Sequence, residues 1–166
     1  MAILVFGLIV FLGIHSVQIV RPGLRERIIQ KAGSVSAWKL TFSGLATIGL
    51  LLVILGYSLA RYQTPVWYQP PAGLRHLALL VMLPVFPLLF ATYLKGRLGQ
   101  LVGHPMLAAT ALWAIAHLLA NGSMADVLLF GSFLVWALAD SWSVRRRGEK
   151  RQPGRPEHWR RNDAVA

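Results

Sequence analysis

The chain has 166 residues, 55% of them hydrophobic, with 17 Lys and Arg against 6 Asp and Glu and no cysteine. That is one domain's worth of length, and the missing thiols exclude disulfides, thiolate metal sites, iron–sulfur clusters and thiol nucleophiles. The positive charge flanks apolar blocks instead of forming a face of its own, which points to a bilayer and not to nucleic acid.

In chain order, the first block, Ala2 to Val20, carries no charge. Neither do Leu40 to Ala60, Leu77 to Leu94 or Leu101 to Ala125, and Val127 to Ala139 follows after the single Asp126. Soluble cores use helices of about 11 or 12 residues with a polar face. Blocks near 20 residues that are apolar all round match a hydrocarbon layer roughly 30 Å thick. They predict an all-α fold: a polytopic membrane helix bundle with five transmembrane helices, at about 2–20, 40–60, 77–94, 104–120 and 124–140. No Lys or Arg precedes the first block, and no small-x-small cleavage site follows it, so the first span is expected to be retained. Pro84 and Pro87 should bend span three. Asn121-Gly122 is a helix stop that leaves about 16 residues on either side, or about 24 Å each, a hairpin turning near the far interface.

Charge sets the orientation. Fifteen basic residues fall in the segments 21–39, 95–97 and 145–161, and only Arg61 and Arg75 fall on the opposite side. Cytoplasmic loops carry the Lys/Arg excess, which places the N-terminus outside and the C-terminus in the cytoplasm of a bacterial inner membrane. Residues 1–143 form the membrane domain, and 144–166 a basic tail expected to be disordered and drawn to anionic lipid. Tyr57, Tyr62, Trp67 and Tyr68 at the outer boundary, and Trp38, Trp136 and Trp142 at the inner one, are expected interfacial anchors.

No phosphate-binding glycine loop, HExxH motif or carboxylate pair is present. The glycosylation spelling Asn121-Gly122-Ser123 is better explained by the turn, and Gly99-x-x-x-Gly103 lies in a loop. The histidines remain. His104-Pro105 looks like a helix start, His76 lies at the outer entrance of span three, and His158 is in the tail. His117 shares a helix face with Thr110, Ala114 and Asn121, with Trp113 beside it, on a span rich in alanine. His15 lies about 9 Å before Arg21, with Gln18 on its side to hold the second ring nitrogen. Neutral imidazole is the form that ligates a haem iron, with the other nitrogen tied to an acceptor. The competing role for both is an interhelical hydrogen bond.

Several stretches carry a resemblance. His15-Ser16 followed by Arg21-Pro22-Gly23-Leu24-Arg25-Glu26-Arg27 resembles the start of the NnrU family of small membrane proteins. So do Leu74-Arg75-His76, Gly103-His104-Pro105-Met106-Leu107, the run from Leu112 to Gly122, and Ala125 to Phe133. In order and spacing they cover roughly residues 1 to 147. The family takes its name from bacterial denitrification, so the resemblance implies a role accessory to nitrite and nitric oxide reduction. It is also similar to plant 15-cis-zeta-carotene isomerase, an integral membrane enzyme with a b-type haem.

That likeness implies haem b with its iron held by His15 and His117, in the matching steps His15-Ser16 and Trp113-Ala114-Ile115-Ala116-His117. The plant enzyme has a cysteine where this chain has Ala114, which removes thiolate exchange here. His15 and His117 also differ in depth, so His104 and His76 stand as reserves, with Gln18, Trp113 and Asn121 as supporting residues. The partners implied are the lipid bilayer together with nitrogen-oxide reductase components or a lipophilic small molecule. Two competing expectations are a haem-dependent cis-trans isomerase of a lipophilic polyene and a cofactor-free membrane assembly protein.

Overall fold

The structure is a computed structural model that describes residues 1–21, 23–94 and 97–148. Pro22, Lys95, His158 and the tail beyond Gly148, whose disorder was expected, lie outside the described residues. In chain order the helices are α1 (Ala2–His15), α2 (Val17–Val20), α3 (Leu24–Ala32), α4 (Val35–Ala60), α5 (Ala72–Met82), α6 (Val85–Tyr93), α7 (Arg97–Val102), α8 (Pro105–Ala120) and α9 (Met124–Arg147). Among the described residues the β structure is an isolated bridge between Val66 and Ser123. Among the described residues three stretches are long and apolar enough to cross a membrane: Val35–Ala60, Ala72–Tyr93 and Met124–Arg147. α1 and α8 are shorter apolar helices.

The chain forms two compact units, residues 1–67 with 123–132, and residues 68–122 with 133 onward. In the first, α1 packs on α4. Leu4 approaches Gly56, Gly7 approaches Leu52 and Val53, and Phe11 approaches Gly49, so the two helices run antiparallel. A Cβ on Gly7 would sit 2.6 Å from the Val53 nitrogen, and one on Gly49 2.8 Å from the Phe11 nitrogen. Glycine is what lets these backbones meet. The opposite face of α4 leaves Leu40, Ile48, Leu51, Ile54 and Leu55 exposed, as a lipid-facing helix does.

In the second unit α8 packs on α5 and α6. Val85, Leu88 and Ala109 are its buried centre, with Met82, Leu112 and Trp113 against them. α5 and α6 are one apolar span interrupted at Leu83-Pro84, at the first of the two prolines expected to bend it. Pro84 has no N–H to give the helix ladder, and Leu83 turns back to the Leu80 carbonyl at 3.2 Å.

The boundaries differ from the apolar blocks in instructive ways. Span one is interrupted at Ser16, where the hydroxyl donates to the Leu12 carbonyl at 2.6 Å and separates α1 from α2. Span two starts at Val35, not at residue 40, because Ser34 caps it. The Ser34 hydroxyl accepts from the backbone N–H groups of Ser36 and Ala37 at 3.1 and 3.3 Å. Ser34→Ala should therefore cost about 1 kcal/mol in a thermal melt, and a restoring Ser34→Asp should recover most of it. Span three starts at Ala72, which moves Arg75 and His76 from its entrance into the helix itself. Span four is α8, from Pro105 to Ala120. Span five continues to Arg147, so residues 144–147, assigned by charge to the tail, are the last turn of α9. Arg146 there lies over the Trp142 ring at 3.5 Å, and Arg147 faces Asp140 at 4.0 Å.

Candidate functional site

α5 and α8 run side by side in opposite directions, so the first turns of α5 meet the last turns of α8. Between them lies an open cavity of about 540 Å³, lined by Arg75, Ala78, Leu79 and Met82 from α5 and by Ala116, His117, Ala120 and Asn121 from α8 and its end. Its walls are mostly apolar and small. The polar groups gather at one end.

His117 is fixed by its own helix. Its Nδ1 donates to the Trp113 carbonyl at 2.9 Å, four residues back, and the Trp113 ring lies 5.0 Å from the imidazole. Donation from Nδ1 puts the ring's lone pair on Nε2, the atom a metal centre would take. Trp113 thus supports His117 through its backbone carbonyl as well as its ring. The indole is held in turn by Phe133, edge on at 5.5 Å. The expected supporting Asn121 donates to the His117 carbonyl at 3.0 Å and ends α8. Gly122 follows where a Cβ would run into the Tyr68 carbonyl, and the Tyr68 hydroxyl donates to the Leu118 carbonyl.

His15 is held the same way within the first unit. Its Nδ1 donates to the Phe11 carbonyl at 2.6 Å, and its ring packs on Phe11 and Phe42 at 4.4 and 5.1 Å. It lines a second cavity, of about 230 Å³, with Gln18, Arg25, Trp38 and Phe42. The sequence assigned the second nitrogen of His15 to Gln18, and the Phe11 carbonyl engages Nδ1. Trp38, expected as an interfacial anchor, is buried against Phe42 at the wall of this cavity.

The two reserves lie elsewhere. His104 is the residue before α8, whose first position is Pro105, but its side chain makes no cap hydrogen bond. His76 is exposed on α5. Neither lines the two cavities.

A third polar cluster escaped the sequence. Asp126 is 6% exposed in the first unit and accepts from the Tyr57 hydroxyl at 2.6 Å. Its other oxygen accepts from the Ser123 backbone N–H at 3.0 Å and the Ser123 hydroxyl at 2.7 Å. The Asp126 N–H returns to the Ser123 hydroxyl at 3.2 Å. Ser123-x-x-Asp126 is thus a capping box on α9, and the spelling was there to be read. Tyr57, expected as an anchor, is the hydroxyl that completes the carboxylate's shell. Every oxygen is engaged, which marks the cluster as a structural joint.

What chemistry could the cavity beside His117 host? Among the described residues no three His, Cys, Asp or Glu side chains converge as a bare metal ion needs. A haem brings four nitrogens of its own and asks the protein for axial ligands alone. The cavity presents one such imidazole, pinned through Nδ1, beside alanine side chains and an arginine.

No curated protein and no solved structure matches the chain. A family profile described as NnrU protein matches residues 3–166. Apolar helices long enough for a bilayer and this match over nearly the whole length agree: the chain is an integral membrane protein that belongs to the NnrU family.

Proposed function

We propose that the chain is a five-span protein of the bacterial inner membrane, N-terminus outside and C-terminus cytoplasmic, that binds a b-type haem and serves nitrite and nitric oxide reduction as an accessory protein. The observation that carries the haem reading is the hydrogen bond from His117 Nδ1 to the Trp113 carbonyl at the wall of the larger cavity. It fixes the tautomer and the ring orientation that an axial ligand requires. His15 is pinned by the same device in its own unit, which supports its place in the proposed ligand pair. Bound there, haem would supply one-electron redox chemistry. The protein's part is to present imidazole, offer the ring a surface of alanine and leucine, and hold its polar edge. Family membership supports the denitrification context, and the 15-to-2 split of basic residues supports the orientation.

The test is the visible spectrum of the purified protein, oxidised and dithionite-reduced. A sharp low-spin pair of bands in the reduced form is expected. His117→Ala should abolish it, and His15→Ala should convert it to a high-spin spectrum with little loss of protein. Colourless protein after expression with haem supplied would overturn the reading, leaving the histidines as packing residues and the assembly role in its place.

The apolar lining of the cavity favours a second reading, haem-dependent isomerisation of a lipophilic polyene. Ala114, where the plant isomerase has a cysteine, is fully buried and is not among the residues lining the cavity. Conversion of a cis-polyene by the reduced protein, and none by the oxidised form, separates this reading from the accessory role.

A further inference from the structure

Arg75 is an exposed charge in the first turns of α5. It lines an otherwise mostly apolar cavity, and it forms no hydrogen bond or ion pair among the described residues. Each acid among the described residues already has a partner. Glu26 lies 3.4 Å from Arg25, Asp126 is enclosed by Tyr57 and Ser123, and Asp140 faces Arg147 at 4.0 Å. Arg75 is also the fourth residue of α5, at the positive end of that helix. A cation is disfavoured there, and an anion is favoured. Two independent positive features thus converge at the polar end of one cavity, beside His117 and Asn121.

We infer that this cavity is a site for an apolar body that ends in a carboxylate, and that Arg75 is the carboxylate's counter-ion. A guanidinium matches a carboxylate with two parallel N–H donors. The alanines at 78, 116 and 120 leave room for the apolar body, and Leu79 and Met82 give it an apolar surface. Within the haem reading, on which this assignment rests for its first test, the carboxylate is a propionate. Arg75 then positions the ring while His117 holds the iron. A long-chain acid from the bilayer presents the same chemistry, and the two sources separate experimentally.

The full chain, in nanodiscs of phosphatidylcholine, is titrated with haemin and with its dimethyl ester, whose carboxylates are blocked. Wild-type protein should bind the free acid roughly tenfold or more tighter than the ester. Arg75→Gln should erase that preference while leaving ester affinity and the position of the Soret band unchanged. Equal binding of acid and ester by wild type overturns the assignment. So does a loss in Arg75→Gln that is equal for both ligands, which is what a merely structural arginine gives. Loss of the preference when phosphatidylglycerol replaces phosphatidylcholine assigns Arg75 to a lipid phosphate and also overturns it.

If wild type takes up neither haemin nor ester, the haem reading has failed and the carboxylate site is tested by itself. The probes are then cis-parinaric acid and its methyl ester, followed by fluorescence. An acid preference that Arg75→Gln removes supports a long-chain acid as the occupant, and equal binding overturns the site. Should Arg75→Gln not fold, the acid-to-ester ratio in the unchanged protein decides.

Discussion

Gly56→Val is expected to separate α1 from α4 and cost about 3 kcal/mol or more, the upper range for overpacking. A Cβ at residue 56 meets the backbone of Leu4 and Ile3, including the Leu4 nitrogen, so no rotamer change relieves it. The alternative is to move the helices apart along the whole seam, which also opens the Gly7–Val53 and Gly49–Phe11 contacts. Such loss is collective, because close backbone approach is what holds helices together where lipid tails are as apolar as the side chains. Gly44 supplies the contrast. It lies on the same helix with nothing within 4 Å of an added Cβ, so Gly44→Ala should gain the helix propensity of alanine, about 1 kcal/mol. Thermal melts of both variants in one detergent provide the measurement. Equal melting temperatures would mean the α1–α4 seam does not exist in the folded protein.

Asp126→Ala should be nearly as damaging, at about 3 kcal/mol. It strips the partner from the Tyr57 hydroxyl and from the Ser123 N–H, and each buried polar group left unmet costs about 1–3 kcal/mol. Tyr57→Phe strands only the one Asp126 oxygen that the hydroxyl served, so it should cost about 2 kcal/mol. In the double variant the stranded hydroxyl is gone as well. The two losses should then sum to less than their separate values, with a coupling of about 1 kcal/mol or more in a double-mutant cycle. Strict additivity would show that the two side chains do not meet.

Some of this molecule is legible in its sequence for plain reasons. α8 comes out as Pro105 to Ala120 because chemistry marks both ends: a ring that belongs at a first helical position, and Asn-Gly, which no helix continues through. The break in span three follows from a missing N–H. The starts of α4 and α5 were misplaced because an apolar run records what lipid tolerates, and a helix begins where its first N–H groups find acceptors. Ser34 does that work six residues ahead of the apolar stretch, and Lys39 rides along with its ammonium free to reach the interface. α9 outruns its apolar block for a related reason: arginines suit the negative end of a helix.

The candidate site divides along the same line. His15 and His117 could be chosen as polar residues inside apolar spans. Their Nδ1 partners could have been read too, since every helical histidine has a carbonyl four residues back. Arg75 could not be joined to His117 from the sequence. They are 42 residues apart, and a lone arginine between spans reads first as a topology signal. Only the antiparallel packing of α5 on α8 brings them to one wall.

The Ser123–Asp126 joint has a consequence for how the protein is made. The first compact unit is discontinuous: residues 1–67 wait for residues 123–132, which leave the ribosome after 55 intervening residues have been synthesised. Until then α1 and α4 can pair, because both have already been synthesised, but the Tyr57 hydroxyl has no carboxylate to meet. A nascent chain that stalls before Ser123 therefore carries an unfinished polar surface into the bilayer, while a completed chain hides it. Arrival of the last helix is the step that tells a finished copy from an abandoned one.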